Sequence, residues 1–261
     1  MRAAPLVLLA ALGVALGAPG FAQAQQGRTP SYEPQPFQAG KDVVWVPTPQ
    51  VLVDKLLDLA KVTRDDFVMD LGSGDGRTVI TAAKRGARAM GVEYNSDLVE
   101  LSRRNAEKEG VAARAVFVDA DLYATDLSQA TVNTMFQLPE INLKLRPKIL
   151  ALKPGTRIAS NTFTMNDWLP DATAKLTSAE GCSSAYCTAL FWIVPARVAG
   201  THKLPEGEIT ITQEFQLIAG TMTTGGKTVP FSGKVRGLDV SFKAGGTDYR
   251  GKWNGKTLEM L

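Results

Sequence analysis

Cysteine and histidine are both scarce in this chain of 261 residues, which has two cysteines and a single histidine. A tetrahedral zinc site needs more ligands than Cys182, Cys187 and His202 can supply, so we expect no metal site. The two cysteines are separated by four residues. In an oxidising compartment, such a close and even pair predicts a small structural disulfide. We expect His202 to lie in a solvated loop and assign it no role as a base.

An excess of charge of one sign is also absent, since 29 lysines and arginines stand against 26 aspartates and glutamates, for a formal net charge of +3. This near balance gives no support for binding the phosphate backbone of a nucleic acid. With 44% apolar and 21% charged residues, the composition is ordinary for a soluble globular protein. The length allows one sizeable domain, or one domain with a small additional module. Nothing in the composition indicates an oligomeric state.

The sequence lacks a clean hydrophobic run of the length that a bilayer-spanning helix requires. Residues 1–24 instead resemble a secretory signal peptide, with Arg2 at the positive end, an apolar stretch over 6–16 and a small-residue cleavage site at 22–24. A membrane anchor is the alternative, but prolines and glycines interrupt the stretch. We therefore expect a periplasmic or secreted protein without a stable membrane span after cleavage. Residues 25–41, rich in glutamine, proline and glycine, would then form a flexible leader.

The chain is organised around a glycine-rich turn that follows a short apolar run at Phe67–Leu71. That run predicts a buried strand, and residues 78–84 continue as a helix. Between them, Gly72, Gly74 and Gly76 occupy alternate positions, where glycine allows positive φ angles and a close approach of the backbone to a ligand. The first N–H groups of the helix would lie free at the same place. The pattern is typical of a nucleotide-binding turn, although glycine-rich turns also occur as plain loops.

A carboxylate, Glu93, follows the glycine-rich turn by about twenty residues, the spacing typical of sites that bind the two hydroxyl groups of a ribose. Further strands are expected near 113–118, 130–136 and 156–160, with helices between them. This alternation predicts a parallel sheet covered on both faces. Ligands bind at the carboxyl ends of the strands in such sheets, which is where five residues of the chain fall: Asp70, Glu93, Asp119, Asp121 and Pro139.

Capping residues and prolines predict where several helices begin and bend. Thr48 is expected to cap the first helix, with Pro49 as its first residue. Asn95 or Ser96 is expected to cap a later one. A further helix contains Pro147, which must bend it or split it.

The last part of the chain reads differently, as short strands in which polar and apolar residues alternate. Glycine pairs at 225–226 and 245–246, and the dipeptide at 254–255, predict hairpin turns. We therefore expect an antiparallel meander without a helix. Residues 198–261 are assigned to a β-rich C-terminal module, whose simplest role is packing or partner binding because it holds no catalytic constellation.

The segment from Asp70 to Gly76, with Glu93 and Asp121, resembles the donor motif of the class I S-adenosylmethionine-dependent methyltransferases. Four segments also resemble one branch of that class, the mitochondrial protein-lysine methyltransferases that modify the adenine nucleotide translocase and the c-ring protein of the ATP synthase, together with exported bacterial homologues. These segments are 46–49, 70–77, 136–140 and 163–168. The tail beyond Pro195 is absent from the mitochondrial branch, so the resemblance implies nothing about its role.

The resemblance implies an α/β fold, with a Rossmann-like class I methyltransferase sheet over residues 42–197 and a C-terminal antiparallel β extension. It also implies S-adenosylmethionine as the cofactor. By resemblance, Asp70 and the glycine turn would hold the methionyl end, Glu93 the ribose, and Asp121, in preference to Asp119, the adenine amino group. Asp75 inside the turn disfavours a pyrophosphate, whereas a donor that carries a sulfonium and an ammonium tolerates a nearby carboxylate. Arg77 either closes the turn or lies exposed on the helix.

The resemblance further implies a protein substrate that is methylated on a lysine side chain. A lysine amine must first lose a proton from a pKa of about 10.4, and desolvation in an apolar slot lowers that pKa. Glu140 is the candidate catalytic residue, which would orient the incoming ammonium or lead its proton away. Asn161 would contact the substrate from the end of the fifth strand, or would serve as a turn residue. The candidates for the walls of the slot are Trp45, Phe136, Pro139, Phe163 and Trp168. The alternative for the two tryptophans is a position in the core or in a lid.

Two other functions are compatible with the same residues. A signal peptide would send the protein away from the cytosol, where the methyl donor is made. One alternative is therefore an exported binding or scaffold protein that keeps the nucleoside pocket without turnover. The other is a small-molecule methyltransferase, which shares the donor site but needs an enclosed acceptor cavity.

Overall fold

The structure is a computed structural model that describes Met1 and residues 32–40, 43–205 and 207–261. Apart from Met1, the predicted signal peptide lies outside the described residues, as does the first part of the predicted leader. In the described part of the chain, no helix is both long and apolar enough to cross a membrane.

The first part of the described chain contains four α-helices and seven strands, and these strands form the first of two sheets. The elements are α1 (Gln50–Leu59), β1 (Phe67–Leu71), α2 (Arg77–Lys84), β2 (Arg88–Glu93), α3 (Ser96–Lys108), β3 (Ala115–Asp119), β4 (Val132–Met135), α4 (Pro139–Leu150), β5 (Arg157–Asn161), β6 (Ala172–Lys175) and β7 (Thr188–Ile193). The strand order is β3-β2-β1-β4-β5-β7-β6. Neighbours among β1 to β5 pair in parallel, and β7 pairs antiparallel with both β5 and β6. The predicted Rossmann-like sheet is confirmed.

This sheet is buried on both faces, as its apolar strands predict. In β1, Val68 packs into one hydrophobic cluster with residues of α1 and α2, whereas Met69 and Leu71 pack into a second cluster with α4. Full burial of a side chain of this size stabilises a fold by about 1.5–3 kcal/mol. Asp70 interrupts the alternation, so β1 carries a buried carboxylate at a cost in packing.

The first helix begins at Gln50, one residue later than predicted. Pro49 occupies the N-cap position of α1, outside the helix, and makes no side-chain capping bond. The Thr48 hydroxyl instead accepts a hydrogen bond from Asn161 Nδ2 at 3.2 Å. The prediction of a Thr48 cap was therefore wrong, because Pro49 has extended backbone angles, with φ −53° and ψ 138°, and occupies the N-cap position itself. The alternative of an Asn95 cap on α3 is confirmed, since its side chain accepts from the backbone N–H groups of Asp97 and Leu98.

Helix α4 runs through Pro147 without a break. Proline removes the N–H that would otherwise bond to the carbonyl of Leu143. Leu143 lies on the exposed side of the helix, where water can satisfy that carbonyl. The alternative of a split helix does not occur.

Seven further strands form the second sheet. They are β8 (Gly200–Leu204), β9 (Gly207–Glu214), β10 (Leu217–Thr224), β11 (Lys227–Arg236), β12 (Asp239–Ala244), β13 (Thr247–Trp253) and β14 (Leu258–Met260). They lie in consecutive order, and the neighbours pair antiparallel, so the predicted meander is confirmed. His202 lies in β8 with its ring against Trp253. Its expected place in a solvated loop was wrong, because this strand is too polar to be recognised.

The two sheets meet around Phe215, in the tight turn between β9 and β10. Its ring stacks on Trp168 with 6.0 Å between centroids, and the Arg146 guanidinium of α4 lies 5.2 Å from its centroid. Gln216 Nε2 also donates to the carbonyl of Leu169 at 2.7 Å. The predicted boundary at residue 197 falls in the segment between β7 and β8. That the two parts are separate domains stays a prediction.

Candidate functional site

One cavity lies at the carboxyl ends of β1, β2 and β4. Five of the six predicted cofactor residues line it, namely Asp70, Gly72, Gly74, Glu93 and Asp121. Trp45 and Phe136, predicted for the acceptor slot, also line it. The segment before α1 contributes another wall through residues 43–48.

The glycine turn is held against the second strand by its own backbone. The N–H groups of Gly72 and Ser73 both donate to the carbonyl of Val92, at 2.8 and 3.0 Å. Gly74 has a φ of +55°, and a Cβ there would lie 2.7 Å from Trp45 Nε1. A side chain at this position would therefore strain the backbone and push the indole out of the cavity wall.

Gly76 has a different place from the other two glycines. It occupies the N-cap position of α2, and a Cβ there would lie 2.8 Å from the ring of Phe117. It is not among the residues that line the cavity. Gly76 thus lets the helix pack closely on the sheet, a role that the spacing alone could not distinguish from ligand contact.

Arg77 closes the turn, the first of its two predicted alternatives. Its Nη2 forms an ion pair with Asp75 at 2.5 Å, and its Nη1 donates to the carbonyl of Thr48 at 2.8 Å. The guanidinium therefore ties the glycine turn to the segment before α1. It also offsets the charge of Asp75, which weakens the repulsion that this carboxylate would exert on a pyrophosphate.

The Glu93 carboxylate is oriented by three backbone N–H groups. Oε2 accepts from Gly74 at 2.9 Å, while Oε1 accepts from Tyr94 and Asn95, each at 3.0 Å. Each carboxylate oxygen has further acceptor capacity. The acid is thus fixed at the cavity wall and can still accept from the hydroxyl groups of a ligand.

Asp70 is almost fully buried at the end of β1, and burial raises the pKa of its carboxyl from 3.8 to about 7. Hydrogen bonds from Thr134 and Thr78 oppose that shift, and the nearby charges of Glu93 and Asp75 add to it. Thr134 Oγ1 donates to Asp70 Oδ1 at 2.6 Å. The cavity therefore concentrates negative charge that a cationic ligand would stabilise.

Of the two acids after β3, Asp121 lines the cavity and accepts a hydrogen bond from the N–H of Tyr123 at 2.7 Å. Asp119 is exposed and accepts from Ser96 Oγ at 2.5 Å. The structure thus brings Asp121, the preferred residue, to the cavity and leaves Asp119 outside.

Five of the predicted acceptor residues are not among those that line the cavity: Pro139, Glu140, Asn161, Phe163 and Trp168. Pro139 and Glu140 form the start of α4, where Glu140 is exposed. Trp168 is fully buried against Trp192 and Phe215, so the alternative of a core tryptophan is the one observed. Asn161 is also fully buried, and its side chain bonds to Thr48 and Thr162.

Sequence reasoning missed several polar residues of the cavity, among them Ser73, Thr134 and Gln137. Gln137 Nε2 donates to the carbonyl of Leu71 at 2.9 Å, which leaves its Oε1 without a hydrogen-bond partner among the described residues. Ser73 Oγ is likewise buried and unpaired within the described chain. Buried polar atoms without a partner are costly. A polar residue directly after an apolar strand was the signal available for Gln137.

The two cysteines are joined. The Sγ atoms of Cys182 and Cys187 are 2.00 Å apart, and both side chains are buried. The predicted structural disulfide therefore closes a small ring just before β7.

Comparison with known proteins places this site in a family. The family described as the ANTKMT methyltransferase domain matches residues 70–172. A protein-lysine N-methyltransferase of Saccharolobus islandicus (strain REY15A) is 45% identical over 137 residues, which cover 51% of this chain and 85% of the relative. The lysine N-methyltransferase of Homo sapiens that is named for the ATP synthase c-ring protein is 36% identical, over 49% of this chain and 54% of the human enzyme. The match thus spans most of the Saccharolobus islandicus relative and about half of the human one.

A solved structure has the same core fold. It is described as an RNA methyltransferase from Salinibacter ruber in complex with S-adenosyl-L-homocysteine, and it is 44% identical with a TM-score of 0.54. The match covers 59% of this chain and 96% of that one. Given these matches and the cavity at the glycine turn, the chain belongs to the ANTKMT-type family of S-adenosylmethionine-dependent methyltransferases.

Proposed function

We propose that this protein methylates lysine side chains of a protein substrate outside the cytosol. The observation that carries the proposal is the convergence of Asp70, Glu93 and Asp121 on one cavity beside the glycine turn. The curated relatives named above are protein-lysine methyltransferases, which supports lysine as the acceptor.

The residues of the cavity fit the methyl donor in charge and in hydrogen bonding. S-adenosylmethionine carries a sulfonium and an ammonium, and the acids Asp70 and Glu93 would stabilise both. Ser73 Oγ and Gln137 Oε1 are buried polar atoms with no partner among the described residues, so a bound ligand would satisfy them. We propose that Glu93 accepts from the ribose hydroxyls and Asp121 from the adenine amino group. When bound, the donor would supply an activated methyl group that a nucleophile attacks in line, with S-adenosylhomocysteine as the leaving group.

The chain's own contribution to catalysis would be alignment and exclusion of water. The half-buried indole of Trp45 at the cavity wall would favour the neutral amine that can act as nucleophile. Gln137 Oε1 could accept from the N–H of that amine and fix its lone pair. For Glu140, which is exposed at the start of α4, we propose the weaker role of attracting the ammonium before it enters.

We further propose that the protein acts after export, since residues 1–24 read as a signal peptide and the structure holds a disulfide between buried cysteines. Disulfides persist mainly in oxidising compartments. Cell fractionation with an antibody to the C-terminal sheet would test this, and recovery of the protein in the cytosol alone would contradict it.

The test of the function is methyl transfer by the purified protein. We expect binding of S-adenosylmethionine by calorimetry and transfer of labelled methyl to a protein in cell-envelope extracts. Glu93→Ala should weaken donor binding by about tenfold or more, because it removes the proposed ribose acceptor. Glu208→Ala, which changes an exposed glutamate of β9, is the matched control and should leave donor binding unchanged.

Three results would redirect the proposal. Absence of donor binding would overturn it. Donor binding without transfer to any envelope extract would favour an exported binding or scaffold protein. Transfer to RNA, or to small molecules and not to protein, would identify a different acceptor, and RNA is included because the Salinibacter ruber relative is described as an RNA methyltransferase.

A further inference from the structure

Three aromatic rings from separate segments meet beside the cavity. Phe136 follows β4, Phe163 follows β5, and Tyr186 lies in the disulfide ring before β7. The ring centroids are 5.7 Å apart for Phe136 and Phe163, 5.2 Å for Phe136 and Tyr186, and 5.8 Å for Phe163 and Tyr186. Phe136 also lines the donor cavity. The cluster therefore stands at the edge of the cavity where an acceptor would enter.

A strained turn holds Phe163 in this cluster. Thr162 has a φ of +58°, which is unusual for a β-branched residue. The Phe163 N–H donates to the carbonyl of Asn161 at 2.6 Å, so the three residues form the strained, positive-φ kind of γ-turn. The carbonyl of Phe163 in turn accepts from Ser160 Oγ at 2.8 Å and from Asn142 Nδ2 at 3.2 Å. Strain that is held in place by several hydrogen bonds is typical of functional sites.

The disulfide ring holds Tyr186. The residue directly precedes Cys187, and its N–H donates to Ser184 Oγ at 3.1 Å within the ring. The carbonyl of Cys187 accepts from the N–H of Leu176 at 2.8 Å, which anchors the ring to the neighbouring segment. A loop of this length without the crosslink would sample many positions of the tyrosine ring.

Packing alone does not explain this cluster. The aromatic residues that fill the core, Trp168 and Trp192, are fully buried, whereas Phe136, Phe163 and Tyr186 are each half-buried. A strained turn and a crosslink therefore hold apolar rings at the surface, where burial contributes least to stability. The exposed part of each ring is available to a ligand.

We infer that Phe136, Phe163 and Tyr186 bind the side-chain ammonium of the acceptor lysine, and most strongly its methylated forms. This inference rests on the proposed function and specifies how its acceptor is recognised. The negative faces of aromatic rings attract cations within about 6 Å of their centroids. Phe136 and Phe163 are nearly parallel, whereas Tyr186 is inclined to them by 62° and 53°, so one cation at the cluster would lie over the face of Tyr186 and of one phenylalanine. Methylation keeps the positive charge while it reduces the hydration that must be removed, so aromatic rings favour methylated ammonium groups.

The test compares a cation with a neutral molecule of the same shape. Nα-acetyl-Nε-trimethyllysine amide and its analogue with carbon in place of the quaternary nitrogen are titrated into the protein loaded with S-adenosylhomocysteine, followed by NMR chemical shifts. We expect the cation to bind at least about tenfold more tightly than the neutral analogue. Tyr186→Ala should reduce the affinity for the cation by about tenfold, whereas Tyr186→Phe, which keeps the ring, should change it less than threefold.

A matched control is Tyr249→Ala, since Tyr249 is also half-buried and stacks on a phenylalanine, but in the second sheet. It should leave the affinity for the cation unchanged. Equal affinity of the native protein for the cation and the neutral analogue would overturn the inference. So would unchanged affinity in Tyr186→Ala with donor binding intact. Either result would leave the proposed function standing if methyl transfer to protein is observed, and absence of donor binding would instead count against that function.

Discussion

At the scale of single residues, the buried acid Asp70 gives the fold a pH dependence whose sign can be stated. Its pKa rises from 3.8 to about 7 on folding, chiefly because burial disfavours the charged form. The folded state therefore holds a proton that the unfolded chain releases, and stability falls as pH rises from about 4 to about 7. Thr134 moderates the shift without removing it.

Asp70→Asn should raise the free energy of unfolding at pH 8 by roughly 2–4 kcal/mol and change it little at pH 4. Urea denaturation at the two pH values measures the difference. The control is Asp239→Asn, an exposed position of β12, which should have no such effect. A loss of stability at pH 8 in Asp70→Asn would contradict the assigned burial cost.

The same residue predicts proton release on donor binding. A cationic ligand favours the ionised form of Asp70 and lowers its pKa, so binding near pH 6.5 should release part of one proton. Calorimetry in buffers of different ionisation enthalpy detects it. The release should disappear in Asp70→Asn, and an affinity that does not rise with pH between 5 and 7 would count against the assignment.

Gly74 should tolerate alanine less well than a glycine of similar backbone conformation. Gly74 and Gly225 have φ angles of +55° and +59°, but a Cβ at Gly74 meets Trp45 while one at Gly225 meets nothing within 4 Å. Both alanine variants should lose about 1–3 kcal/mol to backbone strain. Only Gly74→Ala should also weaken donor binding, as seen by calorimetry, and equal donor affinities in the two variants would contradict the described wall.

The positions of single functional residues could be predicted where spacing decides them. The separation of the glycine turn from Glu93 predicts that the two meet, the family resemblance adds Asp121, and all of them line one cavity. The burial of a side chain could not be predicted in this way, because it depends on residues that are distant in the sequence. Trp168 is the last residue of a family segment, yet Phe215, in the turn between β9 and β10, stacks on it. The role of each site residue stays a prediction for the experiments above.

At the scale of elements, the parallel pairing of β1 to β5 followed from the alternation of strands and helices, but the antiparallel pairing of β6 and β7 and the loops with tertiary partners did not. The predicted Thr48 cap did not form, because Pro49 takes the N-cap position and the Thr48 hydroxyl accepts from Asn161 instead. The turn at Phe215 has a φ of +50° and no glycine, so no local signal divided β9 from β10. The disulfide ring was predicted, whereas its role in placing Tyr186 required the structure.

Replacing both cysteines by serine should separate acceptor recognition from donor binding. The short ring contributes about 2 kcal/mol to stability in the chain-entropy account, so the free energy of unfolding should fall by that amount. Tyr186 would lose its anchor, and affinity for the trimethylammonium probe should fall about as far as in Tyr186→Ala. Donor affinity by calorimetry should stay unchanged, because the ring is not part of the donor cavity. Undiminished affinity for the probe would show that the crosslink does not position the ring.

At the scale of the whole molecule, Phe215 is one of the contacts through which the second sheet supports the first. Phe215→Ala removes the stacking on Trp168 and the cation contact with Arg146, which should cost about 2–3 kcal/mol. Thermal unfolding should show a lower Tm and a loss of methyl transfer at elevated temperature. Leu217→Ala, at an exposed neighbouring position, is the control. A Tm that is unchanged in Phe215→Ala would indicate that the two sheets are independent.

The crosslink beside Tyr186 also bears on the fate of molecules that never leave the cytosol. The methyl donor and many lysine side chains are present in the cytosol, but thiols are kept reduced there. A precursor that stays in the cytosol would therefore carry Tyr186 on a loop without the disulfide. Such a molecule would recognise acceptors poorly. If the protein is exported as proposed, it would bind its acceptor well only after the disulfide forms outside the cytosol. Cytosolic proteins would then escape unwanted methylation.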